Sequence, residues 1–366
     1  MLPPSAPAVP DAIDPARIRR ALVIKLRHHG DVLLASPVFT ALQAAAPQAG
    51  IDALVYEDTR EMLTLHPAID TVHTVGRNWR SLPLPHKIAA EVGLVRRLAA
   101  RRYDLVVHLT DSPRGAALVR LLRPRWSVAP DDPSRGRVWK RAFTHRYKLT
   151  RTRRHTVELH LDALRRLGIQ PGEADRALVL VAGDEAEAQV QSRLASLGLV
   201  EGGFVHLHPT SRWLFKCWPA EHNAALIDAL AARGERVVLT AAPSKPERAM
   251  VDRILAACRS QPIDLAGQLS LKALAALTRQ AKAFVGVDSA PMHIAAAMGT
   301  PVVALFGPSG EIEWQPWRLA HRVVASDAHP CRPCGNDGCG GGKVSECLTT
   351  LPVARVLAAL DALLPP

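Results

Sequence analysis

The sequence predicts an α/β protein built on parallel sheets, and three observations carry that expectation. Short apolar, β-prone runs alternate with amphipathic helical stretches along most of the chain, the signature of βαβ units. The alternation falls into two series that part at Gln170-Pro171-Gly172. The chain has 366 residues, 48% of them hydrophobic, which suits two domains, each with its own core. No apolar run is long enough for a membrane span.

Residues 1–16 are rich in Pro and Ala, contain Asp11 and Asp14 and lack a basic start. They read as a disordered leader, not a signal peptide, which places the protein in the cytoplasm. The first domain covers 17–172. It opens with a strand at 21–26, a loop at 27–30 ending in a conformationally free glycine, and a helix from Asp31 to about residue 45. Further strands are expected at 52–56, 71–75, 105–109 and 127–129, with helices at 88–100, 116–122 and 156–167. The second domain covers 173–350. Its strands are expected at 178–181, 204–207, 236–240, 263–265, 284–287 and 302–306, and its helices at 185–197, 220–232, 247–257 and 271–280. A last helix occupies 353–363 within a C-terminal segment, 351–366. The result is two similar α/β halves facing across a cleft.

The chemistry concentrates where strands meet helices. In FVGVDSAPMHIAAAMGTPVVALFGPSG, residues 284–310, a strand runs into Asp288 and Ser289, and Pro291 sits where a first helical turn accepts proline. The helix carries His293 and closes at Gly299. Such a helix start at the carboxyl edge of a parallel sheet favours a phosphate. In HLHPTSRWLFKCWP, residues 206–219, a strand ends in a polar turn presenting Thr210, Ser211, Arg212 and Lys216. Hydroxyls, an Arg fork and a Lys point charge suit a diphosphate, while Trp213, Phe215 and Trp218 read as packing residues. In KLRHHGDVLLASP, Asp31 reads on position alone as a helix N-cap, worth ~1 kcal/mol. The functional alternative is a carboxylate that accepts a proton from a substrate hydroxyl. Neither G-x-G-x-x-G nor G-x-x-x-x-G-K-[ST] occurs at this turn.

The formal net charge is +12, which suits an anionic partner. Arg135, Arg137, Lys140, Arg141, Arg146, Lys148, Arg151, Arg153 and Arg154 follow one another with no acid between them. They read as a contact surface for a polyanion or an anionic lipid headgroup, against the alternative of a solvated loop. A nucleic-acid reader is disfavoured, since no recognition module is present and aromatics make up only 4% of the chain. Cys331, Cys334, Cys339 and Cys347 are spaced C-x2-C-x4-C-x7-C. One C-x2-C pair falls short of the two that mark a zinc site. Reduced thiols in a packed loop are therefore preferred over a structural zinc.

With these residues in hand, the chain resembles the lipopolysaccharide core heptosyltransferases, glycosyltransferase family 9. VIKLRHHGDVLLASPV, HPTSRWLFKCWP, GVDSAPMHIAAAMGTPVVALFGPSG and CRPCGNDGCGGG carry the resemblance, and HHGDVLL and HPTSRWLFKCW are most similar to the heptosyltransferase III subgroup. The resemblance implies a GT-B fold of two Rossmann-like domains, an ADP-heptose donor, a lipopolysaccharide inner-core acceptor and inversion without a metal or other cofactor. It maps the catalytic aspartate onto Asp31, the phosphate-binding lysine onto Lys216 and an Asp-x-x-x-x-His element onto Asp288 and His293. Thr210, Ser211, Arg212, Ser289 and His293 then join Lys216 on the diphosphate, and Glu247 joins Asp288 on the nucleotide. His28, His29, Arg114, Arg137, Lys140 and Arg141 are assigned to the acceptor. The enzyme is expected to associate peripherally with the anionic inner face of the membrane. Heptosyltransferase I or II activity and a catalytically silent protein on the same scaffold are the alternatives.

Overall fold

The computed structural model describes residues 9–149 and 153–364. The chain forms two compact units, the first ending at Val179 and the second beginning at Leu180. The sequence puts this change at 172 and begins a strand at 178–181. In the structure that run is irregular and pairs with no strand. It is apolar because Leu180 and Ala182 are buried, and its backbone is held by side chains: the Val179 N–H donates to Ser36 Oγ (3.0 Å), and Lys272 Nζ donates to the Val181 carbonyl.

In the first unit, β1 (Arg20–Ile24), β2 (Gly50–Tyr56), β3 (Thr71–Val75), β4 (Leu105–His108), β5 (Trp126–Pro130) and β6 (His145–Tyr147) form a wholly parallel sheet, ordered β3-β2-β1-β4-β5-β6. Its helices are α1 (His29–Leu33), α2 (Ser36–Ala45), α3 (Leu84–Arg101), α4 (Pro113–Leu122), α5 (Arg137–Lys140) and α6 (Thr156–Arg166). Leu22, Ile24, Leu54 and Val106 of the sheet pack with Leu94 and Leu98 of α3 and Val119 of α4. Each such fully buried side chain contributes about 1.5–3 kcal/mol. The predicted helix from Asp31 to residue 45 is two helices, and Gly30 lies inside the first of them with no left-handed backbone. β6 is absent from the sequence reading: only three residues long, it lies in the cationic stretch at the sheet's edge.

The expected leader is ordered over part of its length. Asp11 pairs through both oxygens with Arg166 (2.7 Å each), and Ile13 is buried with its N–H on the Leu167 carbonyl. Both partners lie more than a hundred residues away, so no local pattern announces them. Residues 1–8 lie outside the described residues.

In the second unit, β7 (Phe204–His208), β8 (Arg236–Leu239), β9 (Ile263–Asp264), β10 (Ala283–Val287), β11 (Val302–Phe306) and β12 (His321–Ala325) form a parallel sheet ordered β12-β11-β10-β7-β8-β9. The helices are α7 (Asp184–Ser196), α8 (Ala220–Ala232), α9 (Lys245–Ala257), α10 (Leu271–Gln280), α11 (Ala290–Met298), α12 (Glu311–Trp314), α13 (Glu346–Thr349) and α14 (Val353–Asp361). β7, β10 and β11 are buried along their whole length. One face packs Val205, Leu207 and Val285 on Trp218, Leu230 and Leu360; the other packs Phe284, Val302 and Phe306 on Met292. This is why these strands read as unbroken apolar runs. The partly exposed edge strand β12 lacks that signal. Gly299 ends α11 in a left-handed conformation, φ 76°, that a side chain would strain.

Both sheets are doubly wound. Strand order reverses between β1 and β4 in the first unit and between β7 and β10 in the second. Ligands of such sheets bind at the carboxyl ends of the strands beside that reversal.

Candidate active site

In the first unit the reversal point is framed by the turns after β1 and β4. Lys25 follows the last residue of β1 and is 4% exposed. α1 then starts at His29 with His28 as its N-cap, and no side chain caps it. Asp31 is the third helical residue, so the N-cap reading does not hold. Its carboxylate lies 3.7 Å from Lys25 Nζ, and its side chain keeps 23% exposure. Burial lowers the Lys25 pKa to about 8, and the charge of Asp31 opposes that fall.

Around this pair stand further groups. His108 ends β4 fully buried, and burial pushes its pKa down to about 4. A Cβ on Gly115 would fall 2.2 Å from the His108 ring, so only glycine lets α4 approach it. Asp111 bridges Arg135 (2.5 Å) and Arg27 (3.0 Å), and the hydrogen bond from Arg135 leads in lowering its pKa. His29 Nε2 faces the Asp58 carbonyl at 2.8 Å, and Arg77 pairs with the Asp58 carboxylate. Arg114 pairs with Glu91 at 2.6 Å, its guanidinium 5.6 Å from the Trp79 ring.

The cationic stretch is less free than its sequence implies. Lys140 and Arg146 approach Asp131, and Arg154 pairs with Asp162. The acids come from elsewhere in the fold, which the local absence of acids concealed. Arg137 and Arg141 are exposed and form no ion pair among the described residues. Arg151 lies outside the described residues.

In the second unit the reversal point is framed by the turn after β7 and the start of α11. Lys216 Nζ donates to Asp288 Oδ2 at 2.6 Å; the lysine side chain is 21% exposed and the aspartate 8%. Asp288 therefore does not cap α11. Ser289 occupies the N-cap without a side-chain cap bond, and its hydroxyl donates to the Val287 carbonyl. His293 is buried in α11, its ring 6.4 Å from that of Trp314. Arg212 is exposed and lies 5.9 Å from the Trp213 ring, which Lys216 approaches at 5.4 Å. Phe215 and Trp218 pack inward as expected, whereas Trp213 is exposed beside these cations.

Behind this turn runs a directional hydrogen-bond chain. Thr278 donates to the Leu274 carbonyl (2.6 Å), so its hydroxyl accepts from His206 Nδ1 (3.1 Å). His206 Nε2 then accepts from Thr240 (2.7 Å), which accepts from His208 Nδ1 (2.8 Å). Burial keeps both histidines neutral, His208 at about 3. Thr210, itself buried, donates to Glu247 Oε2 (2.7 Å). Ser244 Oγ donates to Glu247 Oε1 (3.1 Å) and accepts from the Glu247 N–H (3.4 Å), the N-cap bond that starts α9. Ser211 is buried, with its hydroxyl accepting from the Trp213 N–H (3.4 Å). Thr210 and Ser211 thus hold the turn from behind, while Arg212 and Lys216 present charge at its surface.

Cys331, Cys334 and Cys339 are exposed and Cys347 is buried. Among the described residues no three His, Cys, Asp or Glu side chains converge as metal ligands.

Sequence reading missed Lys25, His108, Asp111 and His160 at the first unit's edge. Lys25 does leave a trace: it interrupts the apolar run ALVIKL. His160 leaves another, falling on the apolar face of α6 with Val157, Leu161 and Leu164.

The family model Glycosyltransferase family 9 (heptosyltransferase) matches residues 92–344. Lipopolysaccharide heptosyltransferase 3 of Escherichia coli (strain K12) is 36% identical over 342 residues, 93% of this chain and 96% of that protein. Two solved structures share the fold. Glycosyl transferase family 9 from Veillonella parvula has a TM-score of 0.82 at 23% identity, covering 96% of this chain and 99% of that one. E. coli ADP-heptose lps heptosyltransferase II has a TM-score of 0.74 at 24% identity, covering 94% and 98%. The fold is GT-B, and the chain belongs to glycosyltransferase family 9, the heptosyltransferases.

Proposed function

We propose that this glycosyltransferase moves a heptose from ADP-heptose to the inner core of lipopolysaccharide, with inversion, in the manner of heptosyltransferase III. The observation that carries the reading is the similarity to lipopolysaccharide heptosyltransferase 3 over 93% of the chain. The geometry supports roles for each unit. Asp31 takes the proton of the acceptor hydroxyl as that oxygen bonds to the anomeric carbon. The bond from that carbon to the phosphate oxygen breaks, and ADP leaves with the electron pair. Lys216, Arg212, Ser289 and His293 bind the diphosphate and stabilise its growing charge, with Thr210 and Ser211 bracing the turn. Glu247 and Asp288 serve the nucleotide. His28, His29, Arg114, Arg137, Lys140 and Arg141 serve the acceptor. No metal takes part in a step.

No helix among the described residues is long and apolar enough to cross a membrane. Peripheral binding to an anionic bilayer is part of the proposal. It is supported by Leu84 and Ile88 at the start of α3 and Val138 in α5, all exposed, together with Arg137 and Arg141. Binding to anionic vesicles that falls as salt rises is the expected result.

The deciding experiment incubates the protein with ADP-heptose and a series of defined truncated cores and reads product masses. Transfer only to cores that already carry two heptoses is expected. Transfer to cores bearing none or one would reassign the activity to type I or II, and no transfer to any core would overturn the reading.

A further inference from the structure

Lys25 is an unusual residue to find beneath a reactive carboxylate. Its side chain is 5% exposed, yet its nearest carboxylate, Asp31, stands at 3.7 Å, beyond hydrogen-bond distance. Its short contact is to an imidazole: Nζ lies 2.7 Å from His160 Nε2 on α6. His160 Nδ1 lies 3.0 Å from the Leu34 carbonyl, just past the end of α1. A carbonyl only accepts, so Nδ1 carries the imidazole proton and Nε2 offers its lone pair to the ammonium. A second ammonium proton is directed at the Leu109 carbonyl (3.4 Å), beyond β4, which leaves the third facing Asp31. Lys25 is thus clamped from α6 and the β4 turn, and His160 ties that clamp to the backbone that carries Asp31.

For stability alone this arrangement is a poor choice. A buried ammonium with a loose counter-ion is commonly replaced by an apolar residue at little cost. Function supplies a reason to keep it: a fixed positive charge below Asp31 orients the carboxylate that a general base must present to its substrate.

Resting on the assignment of Asp31 as base, we infer that Lys25, oriented by His160, is a positioning residue that aims the Asp31 carboxylate for proton abstraction. Asp31 (α1), His160 (α6), Arg27 in the following loop and His108 (β4) are the titratable groups that bear on Lys25, and His155 bears on His160. Burial holds His160 well below its ordinary range, so it stays the neutral acceptor through the working pH range.

The test compares kcat and KM across pH for the wild-type enzyme, Lys25→Met, Lys25→Gln and Asp31→Asn. Gln keeps a hydrogen-bond donor for His160 without the charge. Both Lys25 variants should lose about tenfold or more in kcat at neutral pH, while the KM for ADP-heptose changes less than about threefold. A wild-type kcat in a folded Lys25 variant, with Asp31→Asn inactive, would overturn the inference and leave the base assignment standing. Full activity in Asp31→Asn would overturn the base assignment first. Failure of both Lys25 variants to fold would mark Lys25 as structural and also overturn the inference.

Discussion

The two units carry the same strand order, and each sets a lysine and an aspartate at its reversal point, but the pairs are inverted. In the first unit the lysine is the buried member, 5% exposed, and Asp31 is the open one at 23%. In the second the aspartate is buried at 8%, and Lys216 is open at 21%. The spacing differs as well, 3.7 Å against 2.6 Å. In the proposed reaction the inner member positions its partner, and the outer member meets the ligand. One unit therefore presents a carboxylate, suited to taking a proton, and the other an ammonium, suited to an anion. A single topology supports opposite chemistries through which residue of the pair is covered.

The strongest way to break this comparison is Asp31→Asn. It should lower kcat by ~10²–10⁴-fold while ADP binding, followed by calorimetry, stays near wild type. Undiminished turnover would remove the distinction between the units.

A control pair stands away from both reversal points. Asp52 on β2 is held by Arg101 (2.7 and 2.8 Å) and Tyr103 (2.6 Å). Asp52→Asn should cost about 3 kcal/mol of stability in urea unfolding and leave kcat of the folded enzyme intact. Burial opposes the charge of Asp52, but hydrogen bonds from His73, Arg101 and Tyr103 outweigh it and hold its carboxyl well below the usual range. The folded-state value is thus the lower one. The stabilisation is complete above the unfolded value of ~4 and is lost as pH falls below it. The stability gap between wild type and Asp52→Asn should accordingly narrow with acid.

Next in size, Lys216→Met should weaken ADP binding by about tenfold or more, the usual worth of a charge-assisted hydrogen bond. It should also flatten the salt dependence of ADP binding. An unchanged affinity would place the diphosphate elsewhere. The smallest effect is expected from Thr210→Val, which removes the hydroxyl holding Glu247. Donor affinity should fall about fivefold, corresponding to ~1 kcal/mol, with cooperative thermal unfolding retained.

Much of this frame was legible in the residues. Strands β7, β10 and β11 stand where their apolar runs place them, because a strand covered on both faces must be apolar along its length. Pro291 and Gly299 bracket α11 as their backbone preferences require. Asp31, Lys216, Asp288 and His293 were visible as polar residues following such strands. Less was legible where structure depends on distant partners. Arg135, Lys140, Arg146 and Arg154 find their acids at Asp111, Asp131 and Asp162. The run at 178–181 has strand composition but no ladder partner. Asp11 and Ile13 are ordered by α6 and the residue that follows it.

The sequence by itself determined the alternation of strands and helices, the turns that carry chemistry and the family, since each rests on local pattern or on ordered motifs. Only the tertiary structure decided which member of each Lys–Asp pair is covered and that His160 lies against Lys25. Burial and charge pairing are set by residues up to 155 positions apart, and no local periodicity encodes contacts made only when the sheet closes under its helices.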